Sequence, residues 1–130
     1  MAAVHAVAFN DHNLLQWLAE ASDADLDALD FGTIGFDAAG VVCRYNRFES
    51  VAAGLSTGRV LGHPLFTVVA PCMNNFLVAQ RFEDALASGD SLDATIDYVL
   101  TLRMRPVKVK LRLLAIAGAS IRWVLVQRAV

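Results

Sequence analysis

Hydrophobic and polar positions alternate along this chain with two different periods, and the places where one gives way to the other outline its elements. In "NDHNLLQWLAEASDADLDALD" Leu14, Trp17 and Leu18 fall at helical spacing, and Asp23, Asp25, Asp27 and Asp30 follow as a cluster. A short helix and then a second helical turn are predicted. Ser22 with Asp25 resembles a capping box in which a short acid replaces Glu or Gln, with Leu26 and Leu29 turned toward a core. From Phe31, "FGTIGFDAAGVVCRYN" holds two β-prone runs around a turn-forming "DAAG", which predicts a hairpin. Strict alternation in its second strand sets Val41, Cys43 and Tyr45 on one face and Val42, Arg44 and Asn46 on the other. Residues 46–63 are rich in small residues, with Gly54, Gly58 and Gly62, so short helical turns are expected there. The following "TVVAPCMNN" is strand-like as far as Pro71. The stretch "NNFLVAQRFEDALASG" predicts the main helix, capped by Asn74 or Asn75 and ended by Gly89, with Val78, Phe82, Ala85 and Leu86 as its apolar stripe. Three strand-like runs remain: "ATIDYVLTLRM", "VKVKLRLLAI" and "IRWVLVQRAV". In the second, Val107, Val109 and Leu111 alternate with Lys108, Lys110 and Arg112, whose row is expected to form a solvated sheet face.

Cap helices, two strands, short helices, one longer helix and three strands predict an α+β fold: a five-stranded antiparallel sheet flanked by helices. Residues 1–30 are expected to form an N-terminal helical cap over a core of residues 31–130. That element order is the one found in PAS-type sensor domains. With 130 residues, 56% hydrophobic and 18% charged, the chain suits one compact domain and not disorder. Arg122 interrupts the longest apolar candidate, "LLAIAGASIRWVLV", so no run reaches the roughly 18–20 uncharged residues of a membrane span. The opening "MAAVHAVAFNDH" lacks the basic head of a secretory signal. A soluble, cytoplasmic protein is therefore expected, a monomer or weak homodimer. The formal net charge of −2 gives no electrostatic reason for nucleic-acid binding, although Arg103, Arg105, Lys108, Lys110 and Arg112 lie close together in sequence. Two cysteines, Cys43 and Cys72, are too few for a cysteine metal cluster and read as free thiols in a reducing compartment.

Two constellations carry candidate chemistry. Cys72 follows Pro71 and precedes a helical run, whose unpaired N–H groups and positive dipole end favour thiolate and so acylation. Taken alone, it fits a small buried apolar filler as well. In "YNRFES", a helical turn begun just after Asn46 projects Tyr45 and Glu49 from the same side, where a phenol and a carboxyl can converge on one ligand oxygen. Glu49 donates there only if burial raises its pKa enough to keep it protonated. A surface glutamate and a core tyrosine are the plain structural alternative.

The segments "FGTIGFDAAG", "YNRFES", "VLGHPLFTVVAPC", "FEDALASG", "MRPVKVK" and "WVLVQRAV" stand in the order and near the spacing of one family, and from about Phe31 onward the chain resembles the photoactive yellow proteins. The resemblance implies a PAS-fold blue-light sensor and not an enzyme. It implies a para-hydroxycinnamic (p-coumaric) acid chromophore joined as a thioester to Cys72, with Tyr45 and Glu49 holding its phenolate oxygen. It also implies photoisomerisation, proton transfer from buried Glu49, and loosening of the N-terminal cap around the unpaired carboxylate so produced. Met104 matches a methionine near the chromophore that assists recovery, or else it packs the core. The resemblance leaves the downstream protein partner unidentified.

The match departs at two pocket positions: aligned without gaps from "YN" to "APC", a family threonine and arginine correspond to Ala53 and Leu55. Their loss removes a donor to the tyrosine and a screening cation, so the chromophore pKa should rise unless Arg47 or Arg103 compensates. Met73, beside the anchor, replaces a small polar residue. A PAS-fold interaction or dimerisation module without chromophore is the alternative function. A flavin photosensor using Cys43 in "VCRYNRF" lacks the asparagine, glutamine and glycine its motif needs. A cysteine hydrolase pairing Cys72 with His63 lacks an identifiable orienting group.

Overall fold

The computed structural model of the chain describes residues 7–101 and 106–128. Two short helices, α1 (Leu14–Glu20) and α2 (Asp23–Asp27), precede the hairpin β1 (Gly32–Phe36) and β2 (Val42–Tyr45). Then come α3 (Arg47–Ala53), α4 (Thr57–Val60), a π-helical turn at Leu65–Val69, a 3-10 turn at Pro71–Met73 and the longer α5 (Ala79–Ser88). The strands β3 (Leu92–Leu100), β4 (Val107–Ala115) and β5 (Arg122–Arg128) follow. Together the strands form a five-stranded antiparallel sheet in the order β2-β1-β5-β4-β3, in which β5 joins the hairpin β1–β2 to β3–β4. Among the described residues no helix is long and apolar enough to cross a membrane.

Both faces of the sheet centre are covered, which is why β5 reads as an unbroken apolar run. On one face Val124 and Val126 join Ile34, Phe36, Tyr45, Phe82 and Leu111 in the larger core. On the other, Trp123 and Leu125 join Leu114 with Phe9, Leu14, Leu18, Leu26 and Phe31 from the N-terminal segment. The expected capping box at the start of α2 is present in both directions: Asp25 N donates to Ser22 Oγ at 3.1 Å and Ser22 N donates to Asp25 Oδ2 at 3.0 Å.

Several expectations are overturned, each for a tertiary reason. The basic row of β4 is not uniformly solvated. Lys110 is exposed and pairs with Asp97 at 3.1 Å, whereas Arg112 is buried beneath the N-terminal segment. There its Nη1 donates to the carbonyls of Phe9 at 2.9 Å and Asp11 at 2.8 Å, while Nε and Nη2 fork onto Asp93. Alternation along β2 breaks at a bulge, because Gly35 pairs with Arg44 and Phe36 with Val42, leaving Cys43 as the extra residue. Val42 and Tyr45 consequently share the core face, and Cys43 is exposed instead of looking the same way as Tyr45.

The stretch before Pro71 is not strand-like. Leu65 N bonds to Gly40 O and Val69 N to Pro64 O, so the chain coils against the hairpin turn instead of pairing along a sheet edge. The main helix begins at Ala79, later than expected, because Asn75 Oδ1 accepts from Leu77 N and Val78 N and turns the chain first. Val78, Phe82 and Ala85 are buried as expected, whereas Leu86 is 51% exposed, so the apolar stripe is narrower than the sequence pattern indicates. Gly89 ends the helix in the left-handed conformation, with φ of 71°.

Candidate functional site

The start of α3 is organised by one wholly buried side chain, Asn46. Its Oδ1 accepts from Thr33 N at 3.0 Å and from Glu49 N at 3.1 Å, capping the helix. Its Nδ2 donates to the carbonyls of Leu26 and Phe31, each at 2.9 Å. One amide therefore ties α2, β1 and α3 together. Asp27 strengthens the junction by accepting from Arg47 N at 2.7 Å.

From this fixed helix end, Glu49 points inward over β1 and is 2% exposed. It lies against Gly32, where a Cβ would stand 1.9 Å from Oε1, so a glycine is required for the carboxyl to occupy this position. The carboxylate meets a fork from β5: Arg128 Nη1 donates to Oε1 at 2.7 Å and Nη2 to Oε2 at 3.1 Å. Arg128 follows Val124 and Val126 at every second residue of β5, which puts it on the larger-core face beside Glu49.

Tyr45, at the end of β2, is also buried. Its hydroxyl has one contact among the described residues, to the Glu49 carbonyl at 3.5 Å, beyond the roughly 2.5–3.0 Å of an O–H···O bond. A buried phenolic donor is thus left without a good acceptor, a state that an anionic oxygen nearby would relieve. Burial pushes the Glu49 carboxyl up from its ordinary value, with the Arg128 guanidinium pulling it back down. Burial, and then the negative charge of Glu49, push the Tyr45 phenol well above the ordinary tyrosine range, so it is a neutral donor at neutral pH.

Cys72 is a free, half-buried thiol packed against the core cluster that contains Tyr45. It sits in the Pro71–Met73 turn and not at the N-terminus of α5, so the dipole of that helix does not act on it directly. Its carbonyl is pinned by two donors: Tyr98 Oη at 2.5 Å and Asn75 Nδ2 at 3.2 Å, and Asn75 also donates to Tyr98 Oη at 2.6 Å. A groove of about 680 Å³ opens beside them, between Tyr98, Leu77 and Val109. The free thiol and the under-satisfied Tyr45 hydroxyl, packed in or against one apolar cluster, suit an acylated aromatic group with an anionic oxygen, and the groove beside Tyr98 is lined by neither Cys72 nor Tyr45. In this structure Glu49 is occupied by Arg128.

Ala53 is buried at the end of α3 and Leu55 packs against the larger core. Met104 and Arg103 lie outside the described residues. Arg47 is exposed and contacts Asp27 at 3.9 Å, so it turns away from the core, and the cation beside Glu49 is Arg128 instead. Cys43 stands outside at the bulge, and His63 is exposed with its carbonyl bound by Val42 N. Sequence reading missed Arg128, Gly32 and the Asn75–Tyr98 pair. Period-two counting from the buried Val124 and Val126 would have placed Arg128, but which carboxyl it meets depends on α3.

No family model matches the chain. Over 123 residues it is 35% identical to the photoactive yellow protein of Rhodothalassium salexigens, spanning 94% of this chain and 97% of the relative. Its identity to the photoactive yellow protein of Halochromatium salexigens is 34%, over 96% of this chain and 99% of that one. Among solved structures it is similar to the photoactive yellow protein domain of the sensor histidine kinase Ppr from Rhodospirillum centenum. That match has a TM-score of 0.80 and 38% identity, and covers 87% of this chain and 98% of the other. A PAS domain of an HTR-like protein from Haloarcula marismortui, 15% identical, aligns with a TM-score of 0.59 over 82% of this chain and 93% of its own. The expected α+β arrangement is thus the PAS fold.

Proposed function

The chain belongs to the photoactive yellow protein family, and from that premise we propose that it is a blue-light photoreceptor carrying a para-hydroxycinnamoyl group as a thioester on Cys72. The observation that carries this reading is the Tyr45 hydroxyl, buried with the Glu49 main-chain carbonyl as its one, poor acceptor and within the field of the Glu49 carboxyl, in the same apolar cluster against which the Cys72 thiol packs.

Loading is acyl transfer: the Cys72 sulfur, as thiolate, bonds the acyl carbon of an activated ester, the bond from that carbon to the leaving oxygen breaks, and the displaced alcohol leaves with the proton. When bound, the group supplies a double bond that light isomerises and a phenolic oxygen that ionises. Tyr45 holds its proton throughout and donates a hydrogen bond to that oxygen. Glu49, whose raised pKa keeps a proton within reach, donates the second hydrogen bond and gives up its proton from a carboxyl oxygen after illumination. Met104, Ala53 and Leu55 are the remaining pocket residues in this reading, with neither Ala53 nor Leu55 able to donate.

The signal proposed is loosening of the N-terminal helices, and Asn46 supports it. The same amide that fixes the Glu49 backbone N–H also holds the carbonyls of Leu26 and Phe31, so a shift of α3 strains the docking of α2. A downstream protein partner is expected to read that change.

Incubating the purified protein with an activated para-hydroxycinnamoyl ester tests the proposal. A mass gain of one acyl group at Cys72, a yellow band that bleaches in blue light, and recovery of the band in the dark are the expected results. A protein that stays colourless and unmodified is a PAS-fold interaction module instead.

A further inference from the structure

Leu55 stands where the family resemblance calls for an arginine, yet the structure supplies a cation from the opposite end of the sequence. Arg128 reaches the Glu49 carboxylate through both terminal nitrogens, at 2.7 and 3.1 Å. The Glu49 side chain is 3% exposed and that of Arg128 17%. A forked pair is directional as well as charged, and is stronger than a single point contact. Its environment leaves neither ion another charged partner among the described residues. From β2 the titratable group facing Glu49 is Tyr45, from β1 there is Gly32 and no side chain, and on β4 the register partner of Arg128 is Val109. Asp27 of α2 lies at the outer start of α3 and is engaged with Arg47.

We propose that Arg128 is the resident counterion of the light-sensing site, holding the single negative charge there whether it resides on Glu49 or on the phenolic oxygen that Tyr45 and Glu49 bind. This inference rests on the photoreceptor reading for its second half and on the apoprotein geometry alone for its first. The proton count is simple. Glu49 accepts one proton from a phenolic hydroxyl, and its negative charge passes to that oxygen. When Glu49 returns the proton, the charge comes back to its carboxylate. In either state one proton and one negative charge face one guanidinium.

Two consequences distinguish this chain from a site without such a cation. First, the carboxylate left after proton transfer is not an unpaired buried ion, because the Arg128 fork is already aimed at it, so the drive to open the N-terminal helices is smaller than an orphaned charge would give. Secondly, the substitutions at Ala53 and Leu55 do not by themselves leave the phenolic oxygen without electrostatic support. Arg128 is a positioning and charge-balancing residue and not a proton carrier.

The test begins on the apoprotein, so it does not depend on loading. With glutamate labelled in its side-chain carboxyl with carbon-13, the Glu49 signal is identified by its loss in Glu49→Gln and titrated in wild type, Arg128→Gln and Arg128→Lys. The midpoint should rise by about one to three pH units in Arg128→Gln, a tenfold or greater gain in proton affinity, and by less in Arg128→Lys, which keeps the charge without the fork. Equal midpoints in wild type and Arg128→Gln overturn the proposal. Should Arg128→Gln fail to fold, the wild-type guanidinium resonances of Arg128 decide. They should shift with the Glu49 midpoint and lose that dependence in Glu49→Gln, and indifference to Glu49 refutes the pairing. In loaded protein the pH midpoint of the visible band should move upward in Arg128→Gln, and an unmoved band refutes the second half. A wild type that never colours defeats the photoreceptor reading while leaving the apoprotein titration decisive for the pair.

Discussion

Replacing Asn46 with alanine should uncouple the N-terminal helices from the site. The side chain makes four buried bonds, at 3.0, 3.1, 2.9 and 2.9 Å. Alanine leaves the N–H groups of Thr33 and Glu49 without their acceptor. Each buried donor so abandoned costs about 1–3 kcal/mol. Of the two carbonyls released, that of Leu26 still accepts from the Leu29 N–H at 3.2 Å, so its loss adds little. The two donors together cost about 2–6 kcal/mol, a large share of the roughly 5–15 kcal/mol by which domains are stable. With a urea slope of about 2 kcal/mol/M, the unfolding midpoint should fall by about 1–3 M. Hydrogen exchange should show where the loss falls: α2 and the first turn of α3 lose protection before the β4–β5 ladder does. A midpoint drop of less than about 0.5 M, with unchanged exchange in α2, would refute the view that this amide is the joint between cap and site.

Further consequences follow from the same contacts. Arg112→Met removes the donors that hold the Phe9 and Asp11 carbonyls while keeping apolar bulk. Exchange in α1 should accelerate by roughly tenfold to a hundredfold, allowing about 1.5–3 kcal/mol for each charge-assisted bond and discounting for solvent reaching Asp11 and the half-exposed Asp93, and α1 protection equal to wild type would contradict this. Gly32→Ala forces Glu49 out of its seat, because the new Cβ would lie 1.9 Å from Oε1. Breaking the buried pair should cost about 3–5 kcal/mol in chemical denaturation, and a near-neutral result would mean that the carboxyl has another resting place. The folded Glu49 carboxyl has a raised pKa, so the folded state binds more protons than the unfolded chain between the two values. The stability this group contributes is therefore full below the ordinary carboxylate range and is lost as pH rises through the folded value. Wild type should lose stability relative to Glu49→Gln over that rise, and parallel pH profiles would contradict the assignment. Cys72→Ser should abolish acylation by the activated ester, while Cys43→Ser, altering an exposed thiol at the bulge, should be acylated like wild type; mass spectrometry separates the two.

The features legible from the chain alone are the local ones. Helical spacing in "LLQW", the Ser22–Asp25 box, the hairpin turn and the terminal strands depend on residues close together in the chain, so their periods and caps are visible without the fold. The helical turn that begins just after Asn46 belongs to the same class, whereas the sequence left Glu49 open between a buried and a surface position, and its burial and the cap from Asn46 came from the fold. The tertiary structure alone decided what lies on the far side of each element. The bulge that turns Cys43 out exists because β2 must keep both Val42 and Tyr45 in one core, and Arg112 is buried because the N-terminal segment crosses the face that alternation assigned to water. Arg128 illustrates the same limit at the site. Its facing is implied by alternation along β5, but the carboxylate it meets is 79 residues away in sequence, and only the pairing of β5 beside β1, with Gly32 leaving room, brings the two charges together.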